Sequence, residues 1–357
     1  MLVEILPLLM NPTVLTILIS SLGLGTTLTF IGSHWLLVWI GLEINTLAII
    51  PLIIRQHHPR AVEATTKYFI TQATASTLLL FASVTNAWTS GEWSLIEILN
   101  PTSATLITIA LALKIGLAPL HFWLPEVLQG LDLTTGLVLS TWQKLAPFAI
   151  LLQLHPLLNP NLLLFLGILS TIIGGWGGLN QTQLRKILAY SSIANLGWII
   201  IILHYAPNLT LLNLILYIII TLTTFLLFKT FNSTKINSIA SSSTKFPLLS
   251  IIALLTLLSL GGLPPLSGFI PKWLILQELT KQDLFIPATI VAIIALLSLF
   301  FYLRLCYATT LTISPNPTNI LSSWRTKSNH YTLILLTSST LSILLLPLTP
   351  IIHTLFS

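Results

Sequence analysis

The feature that most constrains this chain is a series of long, continuously apolar runs that recurs from one end to the other. A helix needs about 20 apolar residues to cross the hydrocarbon core of a bilayer, and about eleven runs reach that length. They cover residues 11–30, 34–54, 62–86, 104–121, 134–154, 161–180, 184–204, 209–230, 247–280, 285–311 and 330–350. The ninth run is too long for one straight helix. Only 7% of all residues are charged, which excludes an ordinary soluble domain.

The runs do not alternate between apolar and polar residues, as the strands of a membrane β-barrel do. In lipid, each segment must also satisfy its own backbone polar groups, which a helix does. We therefore predict an all-α, polytopic transmembrane helical bundle of about eleven spans, with residues 1–357 forming a single membrane domain.

Basic residues are distributed unevenly between the loops on the two sides of the predicted membrane. One side, that of the N-terminus, carries Arg55, Arg60, Arg185, Lys186, Lys235, Lys245, Arg325 and Lys327. The opposite loops carry only Lys281. By the positive-inside rule, the N-terminus lies on the side where the chain is made. These cations form no continuous patch, so binding to nucleic acid is not expected.

Two apolar segments are interrupted by glycine and proline in the same pattern. GLAPLHFWLPE at 116–126 aligns without a gap with GLPPLSGFIPK at 262–272. A proline inside a helix removes a hydrogen bond and collides with the carbonyl four residues back, so we predict discontinuous helices at 104–128 and 247–280. Paired broken helices often mark the transport site of a membrane protein. A coincidental pair of proline kinks remains the alternative, since both residues are common in membrane helices.

The two interruptions fall in the fourth and the ninth predicted spans. A unit of five spans reverses direction when it is repeated, so the sequence predicts two inverted repeats. The first covers residues 11–154 and the second covers 161–311, with an additional C-terminal span at 330–350.

Four ionisable residues lie where a membrane protein should have none. Glu43 and Lys144 are near the middle of their spans, and Lys114 and Lys272 flank the two interruptions. A charge at the bilayer centre costs at least a few kcal/mol, so such residues usually mark ion or proton pathways. We hypothesise that Lys114 holds its proton when paired with Glu43 and releases it when the two separate. A buried ion pair that only fixes helix packing is the alternative.

Two further residues near the first interruption are candidates for the same pathway. His121 is a possible relay between Lys114 and Lys144, because histidine exchanges protons near neutral pH. A hydrogen-bonded core histidine explains it equally well. Glu126 is a possible gate or partner of a lysine in a neighbouring subunit, or it simply faces water.

No cofactor-binding or metal-binding pattern is present in the sequence. Cys306 is the single cysteine, and the adjacent His57 and His58 have no nearby acid or cysteine to complete a metal site. Neither a GxGxxG motif nor a phosphate-binding loop occurs. We expect that this chain itself binds no cofactor.

Six segments together resemble the antiporter-like membrane-arm subunits of respiratory NADH:ubiquinone oxidoreductase, complex I, of vertebrate mitochondria. They are HWLLVWIGLEIN (34–45), KYFITQATAS (67–76), KIGLAPLHFWLPEVLQG (114–130), TWQKLAPF (141–148), GGLNQTQLRKILAYSS (177–192) and SLGGLPPLSGFIPKW (259–273). The resemblance runs from Met10 essentially to the C-terminus.

The resemblance implies a proton-translocating subunit with eleven spans, in the mitochondrial inner membrane with its N-terminus in the matrix. It implies that Glu43, Lys114, Lys144 and Lys272 form the central hydrophilic axis. It also implies that NADH, FMN, iron–sulfur clusters and ubiquinone are handled by other subunits of the complex. The expected partners are neighbouring antiporter-like and small membrane-arm subunits, and membrane lipids.

Two other functions remain open at this point. A free-standing cation/proton antiporter would share the broken helices and the charges at the midplane, although three lysines and one acid make a poor sodium site. A structural scaffold would use the same charges only to hold its neighbours.

Overall fold

The computed structural model describes residues 11–54, 58–98, 100–243, 247–310 and 332–350. These residues are overwhelmingly helical and contain no β-strand, only two isolated bridges. The chain divides into two compact units, Met1–Leu163 and Leu164–Ser357. Four of the basic residues that predict the orientation, Arg55, Lys245, Arg325 and Lys327, lie outside the described residues.

Helices α1 to α7 belong to the first unit, and α8 begins at its end. Their bounds are α1 Pro12–Ile31, α2 Trp35–Ile54, α3 Pro59–Ser90, α4 Pro101–Ile115, α5 Trp123–Gly130, α6 Leu133–Ser140, α7 Trp142–Leu154 and α8 Pro160–Gly177. The second unit contains α9 Leu184–Ile202, α10 Pro207–Thr230, α11 Ile236–Ser243, α12 Pro247–Gly261, α13 Phe269–Lys281, α14 Phe285–Thr310 and α15 Thr332–Leu344.

Proline marks the start of many of these helices. Among the described residues it is the first residue of α1, α3, α4, α8, α10 and α12. The first helical turn has no partner for its N–H groups, and the fixed φ of proline suits that position. Six helix starts are thus encoded locally in the sequence.

Eight helices in the described part of the chain are long and apolar enough to cross a membrane. Three shorter ones, Pro101–Ile115, Leu248–Gly261 and Leu333–Leu344, are also apolar. The chain is therefore an all-helical, polytopic membrane protein, as predicted from the apolar runs. In the second unit α9 and α10 are the most buried of these helices, which identifies them as its core.

The helix interruptions occur at the two Gly/Pro segments. Helix α4 ends at Ile115, and α5 begins only at Trp123. In the second unit α12 ends at Gly261 and α13 begins at Phe269. Gly116 and Gly262 follow the first half of each pair with φ values of 84° and 78°, a left-handed conformation that glycine adopts without steric cost. Each break also contains one cis X–Pro bond, Ala118–Pro119 or Pro264–Pro265.

The helix of the predicted span at 134–154 is interrupted at one residue. Leu133–Leu157 is one of the eight candidate spans, but Thr141 divides it into α6 and α7. Pro147 lies inside α7 and has no N–H to donate to the carbonyl of Gln143, so the helix loses a hydrogen bond near this point. The division precedes Lys144 by less than one turn.

Close helix packing in the first unit fixes the position of α2. A Cβ added to Gly25 of α1 would lie 2.6 Å from Oδ1 of Asn45 and 2.9 Å from the backbone oxygen of Gly41. Small residues allow such backbone approach between membrane helices. The indole N–H of Trp39 on α2 also donates to the Ser76 carbonyl of α3, at 3.2 Å. Helix α2 is therefore held on both sides.

Candidate functional site

The first unit contains three of the four predicted pathway residues. Glu43 lies on α2, Lys114 in the last turn of α4, and Lys144 in α7. The lysines are almost completely buried, with exposed fractions of 6% and 5%, whereas Glu43 is half-buried. They come from three helices distant in sequence, so only tertiary packing brings them into one unit.

Lys114 and Lys144 line one small cavity. Its volume is about 20 Å³, and a cavity of roughly 10–15 Å³ suffices for one water molecule. Polar lining is provided by Thr46, Tyr68, Gln72 and Gln143. We name it the lysine cavity.

The Lys114 ammonium has no hydrogen-bond partner among the described residues. Glu43 is near enough to act on it electrostatically, but the described residues contain no ion pair between the two. A buried charge without a counter-ion is costly, so the charged state of Lys114 needs either cavity water or a closer carboxylate. Among the described residues, Glu43 and Lys114 are therefore not paired with each other.

Glu43 lines a second, larger space between α2 and α3. This cleft has a volume of about 320 Å³ and reaches the surface of the chain near Leu47 and Phe69, which are exposed by 56% and 51%. We name it the glutamate cleft. Most of its lining is apolar, and Glu43 is the one carboxylate among the residues that line it.

Hydrogen bonds hold the walls of these spaces together. The Gln143 amide of α7 donates to the Asn45 carbonyl of α2 at 3.2 Å. The Trp123 indole donates to the Leu113 carbonyl at 3.1 Å, across the helix break, and its ring packs edge-on against Tyr68 at 5.8 Å between centroids. The break at Gly116 is thus bridged by a side chain that also supports the cavity wall.

The second unit places Lys272 at its own helix break. The half-buried Lys272 ammonium donates to the carbonyls of Gly261, at 2.8 Å, and Leu260, at 3.3 Å. These carbonyls belong to the last turn of α12, where unpaired carbonyls and the negative end of the helix dipole favour a cation. A further cavity of about 20 Å³ lies beside Lys272 and is lined by the polar residues Asn195, Asn213, Tyr217 and Ser259.

The two remaining candidates are positioned differently from the four central residues. His121 is buried in the first break and its ring lies 4.4 Å from that of Phe122, but it is not among the residues that line the lysine cavity. Glu126 is exposed by 52% and forms an ion pair of 2.7 Å with Lys67 of α3, within the same chain. Lys67 also pairs with Glu63, at 2.5 Å.

Sequence reasoning missed three residues that the structure places between the acid and the lysines. Thr46, Tyr68 and Gln72 line both the lysine cavity and the glutamate cleft. A helical reading could have found them, because Thr46 lies one turn after Glu43, and Tyr68 and Gln72 are four residues apart on one face of α3. Within the described residues, no group of three or more His, Cys, Asp or Glu side chains could hold a metal ion.

Comparisons with known proteins agree with this architecture. A family described as NADH:quinone oxidoreductase/Mrp antiporter, TM, matches residues 32–298, and one described as NADH dehydrogenase subunit 2 C-terminus matches residues 299–353. NADH-ubiquinone oxidoreductase chain 2 of Scyliorhinus canicula is 83% identical over 96% of this chain and 99% of its own length. Its counterpart in Squalus acanthias gives the same identity and coverage.

A solved structure with a similar fold comes from respiratory complex I of Thermus thermophilus. A chain of that complex superposes with a TM-score of 0.82 and 26% sequence identity, over 94% of this chain and 78% of its own length.

Proposed function

Because this chain belongs to the family of NADH-ubiquinone oxidoreductase chain 2 proteins, we propose that Glu43, Lys114, Lys144 and Lys272 carry the protons that it translocates. The chain is a multi-pass protein of the mitochondrial inner membrane and a proton-translocating subunit of the complex I membrane arm. Its partners are other subunits of the complex, and these handle NADH, ubiquinone and the redox cofactors.

The lysine cavity is the single observation that carries the residue assignment. Two buried ammonium groups line a space large enough for a water molecule. Like charges at such a site repel each other, so protonation of one lysine disfavours protonation of the other. Protonation of Lys114 therefore promotes release of the proton held by Lys144, provided that Glu43 supplies a compensating charge at Lys114.

Glu43 fits the role of the moving counter-charge. Its carboxylate lies in the glutamate cleft, close to Lys114 but not in contact with it. Approach of the carboxylate stabilises the charged lysine, and withdrawal destabilises it. Redox chemistry in other subunits would drive protonation by altering this distance.

Lys272 lies directly after the second break, whereas Lys114 lies directly before the first. We propose that it exchanges protons with the polar cavity beside it and that its hydrogen bonds to α12 hold it between transfers. His121 as a relay and Glu126 as a gate remain secondary proposals.

For this function we also propose a number of spans, a repeat organisation and an orientation in the membrane. We propose eleven spans arranged as two inverted repeats, 11–154 and 161–311, plus a C-terminal span at 330–350. The matching breaks after Gly116 and Gly262 support it. We also propose that the N-terminus lies in the matrix, on the basis of the uneven basic residues.

Substitution in the assembled complex tests the residue assignment. Glu43→Gln and Lys114→Gln remove titration while keeping a polar side chain of similar length. We expect each to lower proton pumping by the complex in liposomes by about tenfold, which corresponds to about 1.4 kcal/mol of added barrier. Lys281→Gln is the matched control, since Lys281 is exposed by 60% and pairs with Glu278. Wild-type pumping in either assembled variant would exclude that residue from the pathway.

A further inference from the structure

The lysine cavity and the glutamate cleft share a wall. Thr46, Tyr68 and Gln72 line both spaces, and all three are well buried. Lys114 and Lys144 line only the cavity, and Glu43 lines only the cleft. These three side chains therefore lie between the space that Glu43 lines and the space that the two lysines line.

Thr46 is the wall residue that already contacts the acid. Its hydroxyl oxygen lies 2.8 Å from Oε2 of Glu43 and 2.8 Å from the backbone carbonyl oxygen of the same residue. One hydroxyl hydrogen serves one acceptor at a time, so these are alternative states. The hydroxyl donates to a charged carboxylate. When the carboxyl is protonated, it donates to Thr46 and the threonine hydrogen turns to the backbone carbonyl.

Other buried threonines of the first unit lack this second acceptor. The hydroxyl groups of Thr29 and Thr108 bond only to a backbone carbonyl of the preceding helical turn. That is the usual arrangement for threonine inside a helix. The contact with a carboxylate and the position between two cavities distinguish Thr46 from this common case.

Gln72 provides a place for water on the lysine side of the wall. Its amide nitrogen is buried and has no hydrogen-bond partner among the described residues. A buried donor without a partner is costly and is commonly satisfied by an ordered water. The lysine cavity beside it has the volume for one such molecule.

We propose that Thr46 is a proton relay between Glu43 and Lys114, with Gln72 orienting the water that joins them. The Lys114 ammonium gives a proton to the cavity water, which gives one of its own to the Thr46 oxygen. Thr46 passes its original hydroxyl proton to the Glu43 carboxylate. The net change is from an ammonium and a carboxylate to an amine and a carboxylic acid, with water and threonine regenerated. This inference deepens the proposed function and rests on it.

Removal of the hydroxyl from the assembled complex tests the relay. Thr46→Val keeps the shape of the side chain without the hydroxyl, and Thr46→Ser keeps the hydroxyl. Thr108→Val is the control for loss of a buried helix-bonded hydroxyl. We expect Thr46→Val to lower pumping in liposomes by about tenfold and to change the solvent isotope effect on coupled NADH oxidation in D₂O. Thr46→Ser and Thr108→Val should match the wild type in both measurements.

Each result bears on the relay in a defined way. Wild-type pumping and isotope effect in assembled Thr46→Val would overturn it, as would equal losses in Thr46→Ser. If Thr46→Val does not assemble, the smaller Thr46→Ala is measured in the same way. Loss of pumping in Glu43→Gln together with normal pumping in Thr46→Val would reject the relay alone. Normal pumping in Glu43→Gln would reject the proposed function beneath it.

Discussion

The surroundings of Lys144 determine what its substitution should do. It is buried to 95% on α7, less than one helical turn after the division at Thr141, and lines the lysine cavity together with Lys114. If it receives the proton from Lys114, a neutral side chain at this position stops transfer. We expect Lys144→Gln to lower pumping by about tenfold in reconstituted complex. An assembled variant that pumps normally would remove Lys144 from the pathway.

Substitution of Glu126 distinguishes a role as a gate from a role as an ordinary ion-pair partner of Lys67. Lys67 binds both Glu126 and Glu63, so Glu126→Gln leaves the lysine with one carboxylate and no unpaired charge. The change in unfolding free energy should stay within about 1 kcal/mol, as for other exposed pairs. If Glu126 is a gate, pumping falls while the thermal inactivation temperature holds.

Glu63→Gln is the matched control for that experiment, because Glu63 pairs with the same lysine and is exposed by 62%. Equal pumping in Glu126→Gln, Glu63→Gln and the wild type would leave Glu126 with a purely structural role.

The residues that the sequence predicted and those that it missed differ in a physical way. A charge in an apolar run is conspicuous, so Glu43, Lys114, Lys144 and Lys272 can be selected without a structure. Thr46, Tyr68 and Gln72 are ordinary polar residues in a helix, and only packing places them between two cavities. The pairing of Glu126 with Lys67, 59 positions away in sequence, likewise depends on how α5 lies against α3.

At the scale of elements, the two helix breaks depend on their glycines. A Cβ added to Gly262 would lie 2.8 Å from Cδ and 2.9 Å from Nζ of Lys272, and the φ of 78° disfavours any other residue. The left-handed conformation costs a non-glycine residue about 1–2 kcal/mol. We expect Gly262→Ala to lower the thermal inactivation temperature of the complex and to reduce pumping, because Lys272 is displaced from the α12 carbonyls.

The neighbouring Gly261→Ala is the control for that substitution. Gly261 is the last residue of α12, and an added Cβ would come no closer than 3.6 Å to the side chains of Leu299 and Tyr302, an ordinary contact. Equal losses in both variants would contradict the dependence on the left-handed glycine.

Helix bounds were largely predictable because apolar length and proline starts are local signals. The division at Thr141 was not predictable, since Pro147 alone does not indicate at which residue the helix is interrupted. The glycine–proline breaks were predictable because two prolines six residues apart leave several carbonyls without partners. The donors to these carbonyls are Trp123 at the first break and Lys272 at the second, and they could be identified only from the tertiary structure.

At the scale of the whole molecule, the orientation in the membrane is testable with introduced cysteines, because the chain has only one cysteine of its own. Cys306 is buried, with an exposed fraction of 6%, and should react slowly with a charged maleimide. Glu92 and Lys235 are exposed and belong to loops on opposite predicted sides. We expect Glu92→Cys to be labelled from the intermembrane side and Lys235→Cys from the matrix side, as read by mass spectrometry of this chain. The reverse pattern would invert the proposed topology.

The hydrogen bonds between Lys272 and the end of α12 also make the charge of this side chain measurable by infrared spectroscopy. The stretching frequency of a backbone carbonyl falls when it accepts a strong hydrogen bond from a cation, and Gly261 and Leu260 accept from this one ammonium. If Lys272 gives up its proton as proposed, both bonds weaken, and we expect the infrared amide bands of those two carbonyls to move to higher frequency. Isotopic ¹³C labelling of the Gly261 and Leu260 carbonyls would therefore report the charge on Lys272 through the infrared frequency of these two groups.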